Sequence, residues 1–394
     1  MSGAGGSTAS SADPKRAFLD AASGQPPNPA ARDALRIALD DGWADPRGLH
    51  HQSRRAALLL DAARESVATV LGARPDEISF TSSGTTALHL GVEGLVAERP
   101  APSSTLVLSA VEHSSVLAAG RDHSRHGGTT KIVGVDETGR IDLGDLAAAM
   151  PPDSPSAVCV QSANHEVGTT QPLDAVAEMC ARAGLPLLVD AAASIGAMDP
   201  PAEWSVLAAS AHKWGGPPGV GVLAVRRGTR WRSRTPTDER EGGRVPGFPN
   251  IPAIVAAAAG LEQAEQDRAA RSARLASLVD EVRRRVPASV PDVAVLGDPV
   301  GRLPHIVTFS CLYVDGEALL LELDRFGVAV SSGSACTASA QTPSHVLAAM
   351  GALTHGNVRV SLPHTCTAED IEHFLRVLPE AVSTVRDQQG VQKW

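Results

Sequence analysis

The chain predicts an α/β protein: a large domain with a mainly parallel sheet covered by helices, followed by a smaller α+β C-terminal domain. Three observations predict it. Between about residues 55 and 225, short apolar, β-branched runs alternate with stretches of helical spacing. Those runs lack polar alternation, so they read as strands buried on both faces, as in a parallel sheet between helix layers. Past a loop rich in Gly and Pro at 242–250, the order changes to a shorter mixture of strands and helices.

Residues 54–71 are rich in Ala and Leu, with apolar positions at helical spacing. Residues 77–80 form a short strand, and 81–86 lead into a helix ending near residue 98. Runs at 105–108, 131–135, 157–160, 186–189 and 219–225 read as further strands, with a helix at 173–183 among them. After the loop, residues 251 to about 285 read as one long helix, and the domain boundary is placed inside it, near 265. Strands at 306–309 and 328–331 and helices at 316–325, 344–350 and 368–377 complete the chain. The division is a flexible tail at 1–15, a large domain at 16–265 and a small domain at 266–394.

Composition narrows the function classes. Of 394 residues, 35 are basic and 44 acidic, a net charge of −9 that disfavours general binding to nucleic acid or anionic membranes. No apolar run approaches the ~20 residues of a membrane span, and the Ser/Gly/Ala-rich start does not resemble a secretory signal. Five widely spaced cysteines without a CxxC fit a reducing cytoplasm rather than a disulfide framework or zinc finger. Only four residues are lysines (Lys15, Lys131, Lys213 and Lys393), so chemistry needing a primary amine has few places to reside.

Four segments carry the chemistry. Ser83-Gly84-Thr85-Thr86 is a turn entering a helix, where free N–H groups and hydroxyls can hold a phosphate; alone, it reads as an N-cap. Asp190 ends an apolar strand, at the sheet edge where open α/β folds bind ligands, and can hold a proton on a heteroaromatic nitrogen; alone, it reads as a turn Asp. Lys213 lies in Ser210-Ala211-His212-Lys213 before a glycine-rich loop, where a desolvated amine can form a Schiff base; alone, it reads as a surface lysine. The Gly219-Val220-Gly221 that follows precedes a strand rather than a helix, so it is no dinucleotide fingerprint. Cys336 lies in Ser331-Ser332-Gly333-Ser334-Ala335-Cys336, a run of small polar residues suited to an exposed nucleophilic thiol; alone, it reads as an inert loop cysteine.

Together these motifs resemble the cysteine desulfurases, pyridoxal-phosphate (PLP) enzymes of the class-V aminotransferase family with fold type I. The likeness runs from Phe18-Leu19-Asp20 almost to the C-terminus. It implies a seven-stranded sheet, and Lys213 as the lysine that carries PLP. Gly84, Thr85, Thr86, Ser210 and His212 would hold the phosphate, Asp190 the pyridine nitrogen, and His113, in Glu112-His113, the ring face and protons. It further implies Cys336 as the persulfide carrier and Arg359, in Asn357-Val358-Arg359, as the group that binds the carboxylate of L-cysteine. The distance from Cys336 to Pro343-Ser344-His345-Val346-Leu347 resembles the longer-loop branch, which feeds iron–sulfur assembly and tRNA thiolation. A homodimer and a sulfur-acceptor protein or scaffold are the partners implied.

The sequence departs from the family at four places. Asp-x-x-Gln reads Asp190-Ala191-Ala192-Ala193, which removes a hydrogen bond to the cofactor's phenolate oxygen. Asn-Asn-Glu-x-Gly reads Asn164-His165-Glu166-Val167-Gly168, so His165 either replaces that hydrogen bond, near cofactor and substrate carboxylate, or faces elsewhere. The segment whose threonine reaches the neighbouring subunit's phosphate is one residue longer and carries Phe248. Asp45-Pro46 replaces Asn-Pro. These changes keep two other readings open: another PLP reaction, such as C–S or C–Se lysis or elimination, and a non-catalytic homologue.

Overall fold

In the computed structural model the described residues are 16–98, 104–150, 156–333 and 343–390. The strands are β1 (Ala17–Phe18), β2 (Ile78–Thr81), β3 (Thr105–Ser109), β4 (Thr129–Val133), β5 (Ser156–Gln161), β6 (Leu187–Asp190), β7 (Val206–Ser210), β8 (Gly221–Val225), β9 (Val293–Leu296), β10 (Ile306–Cys311), β11 (Val328–Ala329) and β12 (Asn357–Ser361). Seven of them form one sheet in the order β2-β8-β7-β6-β5-β3-β4. From β4 to β7 every neighbouring pair is parallel; β8 runs antiparallel to both β7 and β2.

Strand periodicity sorts the side chains onto two faces. Leu106, Leu108, Leu188 and Val206 pack with Leu88, Val92 and Leu95 of helix Gly84–Ala97 and Val116 of helix Ser114–Arg125. Val107, Val158, Val160 and Val189 point the other way, onto helices His51–Val70, Leu173–Ala183 and Ile251–Gln266. Both faces are therefore covered, which is why these strands are apolar throughout.

A second core gathers around the antiparallel sheet β12-β10-β9. Phe309 and Val360 meet Val282 of helix Arg268–Ser289, Leu319 of helix Gly316–Arg325, and Phe374 and Leu378 of helix Ala368–Gln388. Ala17 and Leu19 join this core rather than the first, because β1 pairs in parallel with β11. A strand of two residues leaves too little pattern to place it from sequence.

The expected single helix from 251 to about 285 is two, Ile251–Gln266 and Arg268–Ser289. The carbonyl of Ala264, which an unbroken helix would give to the backbone of Arg268, takes the Arg271 guanidinium at 2.7 Å. Among the described residues no helix is long and apolar enough to cross a membrane.

Candidate active site

The C-terminal ends of β3, β5, β6 and β7 meet at one cavity of about 320 Å³. This is the edge at which open α/β sheets bind ligands. Gly84, Thr85, His113, His165, Asp190, Ser210, His212 and Lys213 all line it.

One end is made by backbone. Helix Gly84–Ala97 opens onto the cavity, with Ser83 Oγ accepting from the Thr86 N–H at 3.0 Å. A Cβ on Gly84 would stand 2.8 Å from Ser210 Cβ, and one on Gly221 would stand 2.2 Å from the Ser83 carbonyl oxygen. Only glycine lets these segments approach so closely. The helix start offers unpaired N–H groups and a positive dipole end. Ser210 Oγ and His212 Nδ1 share a hydrogen bond of 3.0 Å. Burial, reinforced by Lys213, brings the His212 imidazole down to about 4, so it is neutral near pH 7. Thr86 takes a different place from its neighbours: its hydroxyl pairs with Ser83 Oγ at 2.9 Å and closes the cap instead of lining the cavity.

Asp190, the last residue of β6, is buried, and its Oδ1 accepts from the Ala192 N–H at 2.9 Å. Burial pushes its carboxyl above the usual range, opposed by His113, the Ala192 N–H and Lys213. His113 caps helix Ser114–Arg125, its Nδ1 accepting from the Ser115 N–H at 3.2 Å. That bond puts the ring proton of the neutral imidazole on Nε2. Burial lowers the His113 pKa; Asp190 opposes this, while Lys213, His345 and His89 reinforce it.

Lys213 ends the 3₁₀ turn Ala211–Lys213 that follows β7. Its Nζ donates to the carbonyl of Ala22, and lies 3.4 Å from that of Ser23. The amine that the sequence placed beside a glycine-rich loop is thus met by carbonyls from near the N-terminus.

The other end depends on side chains. Asn164 Oδ1 accepts from the Glu166 and Val167 N–H groups, both at 2.8 Å, which tightens the turn carrying His165. The His165 ring lines the cavity, 5.1 Å from that of His113 in an edge-to-face arrangement. It therefore faces the site, as does Ala193. Burial holds its imidazole well below the usual value, with His113, Arg359, Lys213 and His345 acting in the same direction. Arg359 is wholly buried behind this wall and does not itself line the cavity. Its guanidinium donates to Asp20 Oδ1 at 2.8 Å, Ser23 Oγ at 2.7 Å and the His165 carbonyl at 3.2 Å.

His305, which no sequence motif singled out, also lines the cavity. Burial and the nearby Arg271, Lys213 and Arg359 bring its imidazole down to about 4. It stands just before β10 with no flanking pattern, so only the tertiary fold brings it to the site.

Cys336 lies at 334–342, outside the described residues. The other four cysteines are all buried. Burial raises the thiols of Cys180 and Cys366 to about 12 and that of Cys311 to about 11, and holds Cys159 well above its ordinary value. None of these four can supply a thiolate near neutral pH.

The cavity, its edge-of-sheet position and its lysine define a class, and comparison with known proteins agrees. Residues 17–374 match the aminotransferase class-V family model, and the chain belongs to that family. Curated relatives within it include cysteine desulfurases. One, from Cereibacter sphaeroides, is 37% identical over 381 residues, covering 94% of this chain and 97% of that protein. The cysteine desulfurase NifS of Azotobacter vinelandii is 35% identical over 361 residues, covering 90% and 89%. A solved NifS-like protein superposes with a TM-score of 0.87 at 26% identity, covering 94% of this chain and all of that one.

Proposed function

We propose that this chain takes sulfur from L-cysteine, releases L-alanine and carries the sulfur as a persulfide on Cys336 to an acceptor protein or scaffold. The observation that supports it most is the convergence of Lys213, Asp190, His113 and the Gly84 helix start on one cavity.

The residues fit pyridoxal 5′-phosphate. A buried carboxylate with a single protein hydrogen bond among the described residues, Asp190, suits a protonated ring nitrogen. The helix start at Gly84 and Thr85, with Ser210 and His212, suits a phosphate, and Thr86 supports it by closing the cap. When bound, PLP supplies an electron sink conjugated to the substrate. Lys213 would hold it and move protons at Nζ, with His113 as second proton carrier through Nε2. His165 would face the substrate carboxylate, and Arg359, which the resemblance implies as its binding group, would act through the His165 turn that it holds from behind the wall. The bond between substrate sulfur and its Cβ breaks, a sulfur–sulfur bond to Cys336 forms, and Cβ gains a proton, giving alanine.

The tail at 1–15 lies outside the described residues. The boundary between large and small domains near residue 265 belongs to this reading, supported by the two separate cores and the helix break at Asp267, with β1 and Leu19 joining the core of the small domain. So does a homodimer. Ile37, Trp43, Leu49 and Leu58 expose apolar surface on and between helices Pro29–Asp41 and His51–Val70, and Phe248 is exposed as well. The unpaired cysteines support a cytoplasmic setting, and the acidic net charge supports partners other than nucleic acid or membrane.

The test is release of sulfide and alanine from L-cysteine by PLP-loaded protein with a thiol reductant. Equal amounts of both, lost in Cys336→Ala with PLP retained, are expected. Pyruvate in place of alanine would mean elimination, and an unimpaired Cys336→Ala would remove the persulfide step.

A further inference from the structure

Helix His345–Ala349 is short, yet it touches both histidine-bearing turns of the cavity. Its apolar side packs Val346 and Leu347, with Met350, against Val111 and Val167 in one small cluster. Val111 stands two residues before His113, and Val167 two after His165.

The start of the helix is polar and makes two contacts, one buried and one part-buried. Ser344 Oγ accepts from the Leu347 N–H at 3.1 Å and donates to Glu166 Oε2 at 2.6 Å. His345 Nε2 lies 2.9 Å from the carbonyl oxygen of Glu112. A carbonyl only accepts, so Nε2 is the donor. Each contact therefore falls on the residue adjacent in sequence to His113 or His165. The His113 turn is otherwise tied by side-chain amides, Asn164 Nδ2 donating to the Val111 carbonyl at 3.2 Å and Gln161 Nε2 to the same oxygen.

We propose that Ser344 and His345 are positioning residues of this site. The helix they begin braces the Glu112-His113 and His165-Glu166 turns against one another and fixes the spacing and angle of the two imidazoles. Because Nδ1 of His113 is already engaged by Ser115, the direction of its Nε2–H follows the backbone of this turn. A twist at the Glu112 carbonyl re-aims that donor. The inference rests on the reading of the cavity as the reaction chamber.

The experiment uses PLP-loaded full-length protein with His345→Ala, His345→Gln and Ser344→Ala, in the parent and in a His113→Ala background. It records kcat and KM for alanine release, thermal melting, and visible circular dichroism of the bound cofactor. His345→Ala should lower kcat about tenfold with KM changed less than about threefold, because small misplacements of catalytic groups act on the chemical step. Gln keeps an N–H donor and should recover most of the loss. In the His113→Ala background the same Ala substitution should cost less than about twofold, since residues acting through one another are non-additive.

Equal losses in both backgrounds, or a Gln variant no better than Ala, would overturn the proposal. Should His345→Ala lose the fold, Gln and Ser344→Ala carry the comparison. If the parent releases no alanine, the desulfurase reading fails. The dichroism then decides the positioning role: a change in His345→Ala that Gln reverses and His113→Ala abolishes upholds it, and an unchanged signal rejects it.

Discussion

At the Gly84 end of the cavity the wall is backbone; at the His165 end it is side chains held from far along the chain. The first is set by close approaches of Gly84 to Ser210 and Gly221 to Ser83, and backbone N–H groups that every sequence possesses stand there beside Ser210 and His212. The second relies on Arg359 reaching Asp20, Ser23 and the His165 carbonyl, and on Ser344 reaching Glu166. The departures from the family's usual residues at Ala193 and His165 fall at this second end. Backbone geometry tolerates changes of side chain but not an added Cβ, whereas a wall of side chains can change identity as long as its supports stay.

That contrast can be broken from either side. Gly221→Ala should have the largest effect, because the new Cβ meets a carbonyl oxygen that cannot turn away. A loss of about 3 kcal/mol or more is expected, read as a fall in melting temperature together with failure to retain PLP. Arg359→Lys removes the planar fork and should cost about 2 kcal/mol. Its KM for L-cysteine should rise while PLP is still retained, which separates the two ends; loss of PLP would erase the distinction.

Smaller changes sharpen the comparison. Burial holds the Glu112 carboxyl well above its usual range, with Asp190 adding to the shift. The folded chain therefore keeps a proton that the unfolded chain releases near ~4.3. Stability contributed by this group falls as pH rises from there toward the folded value. Glu112→Gln removes that slope, so its melting temperature should gain on the parent's as pH rises above the ordinary carboxylate range. A parallel pH course would show that Glu112 is ionised in the fold. Ser83→Ala deletes the cap of helix Gly84–Ala97 and should cost about 0.5–1 kcal/mol, visible in melting, with PLP affinity changed only slightly.

Six of the seven strands of the large sheet were legible from their short apolar runs; β7 was not placed, although it leads directly to Lys213. Helix Leu173–Ala183 was placed at its observed limits. Asp190 could be named because it ends a strand that was placed, and Lys213 because of the motif around it, whereas His113 came only with the family resemblance. What sequence did not reveal is what joins those ends to the rest of the chain. β9 lies half exposed and mixed in pattern, β1 has two residues, and His305 lacks any local signature. The break at Asp267 depends on a side chain four residues further on capturing the Ala264 carbonyl, a competition that periodicity does not record. Whether His165 faced the cavity was likewise a tertiary question, decided by the Asn164-capped turn.

The pairing of Asp20 with Arg359 spans 339 positions. On a ribosome adding ~5–20 residues per second, the first partner waits roughly 20–70 s for the second. The Gly84 end and the large sheet can assemble within that interval, while the carbonyls of Ala22 and Ser23 that meet Lys213 have yet to be fixed by β12. Chains stopped before residue 359 would carry Lys213 without the pairing that holds Asp20 and Ser23 in place. This end of the site is thus completed only once synthesis has passed β12.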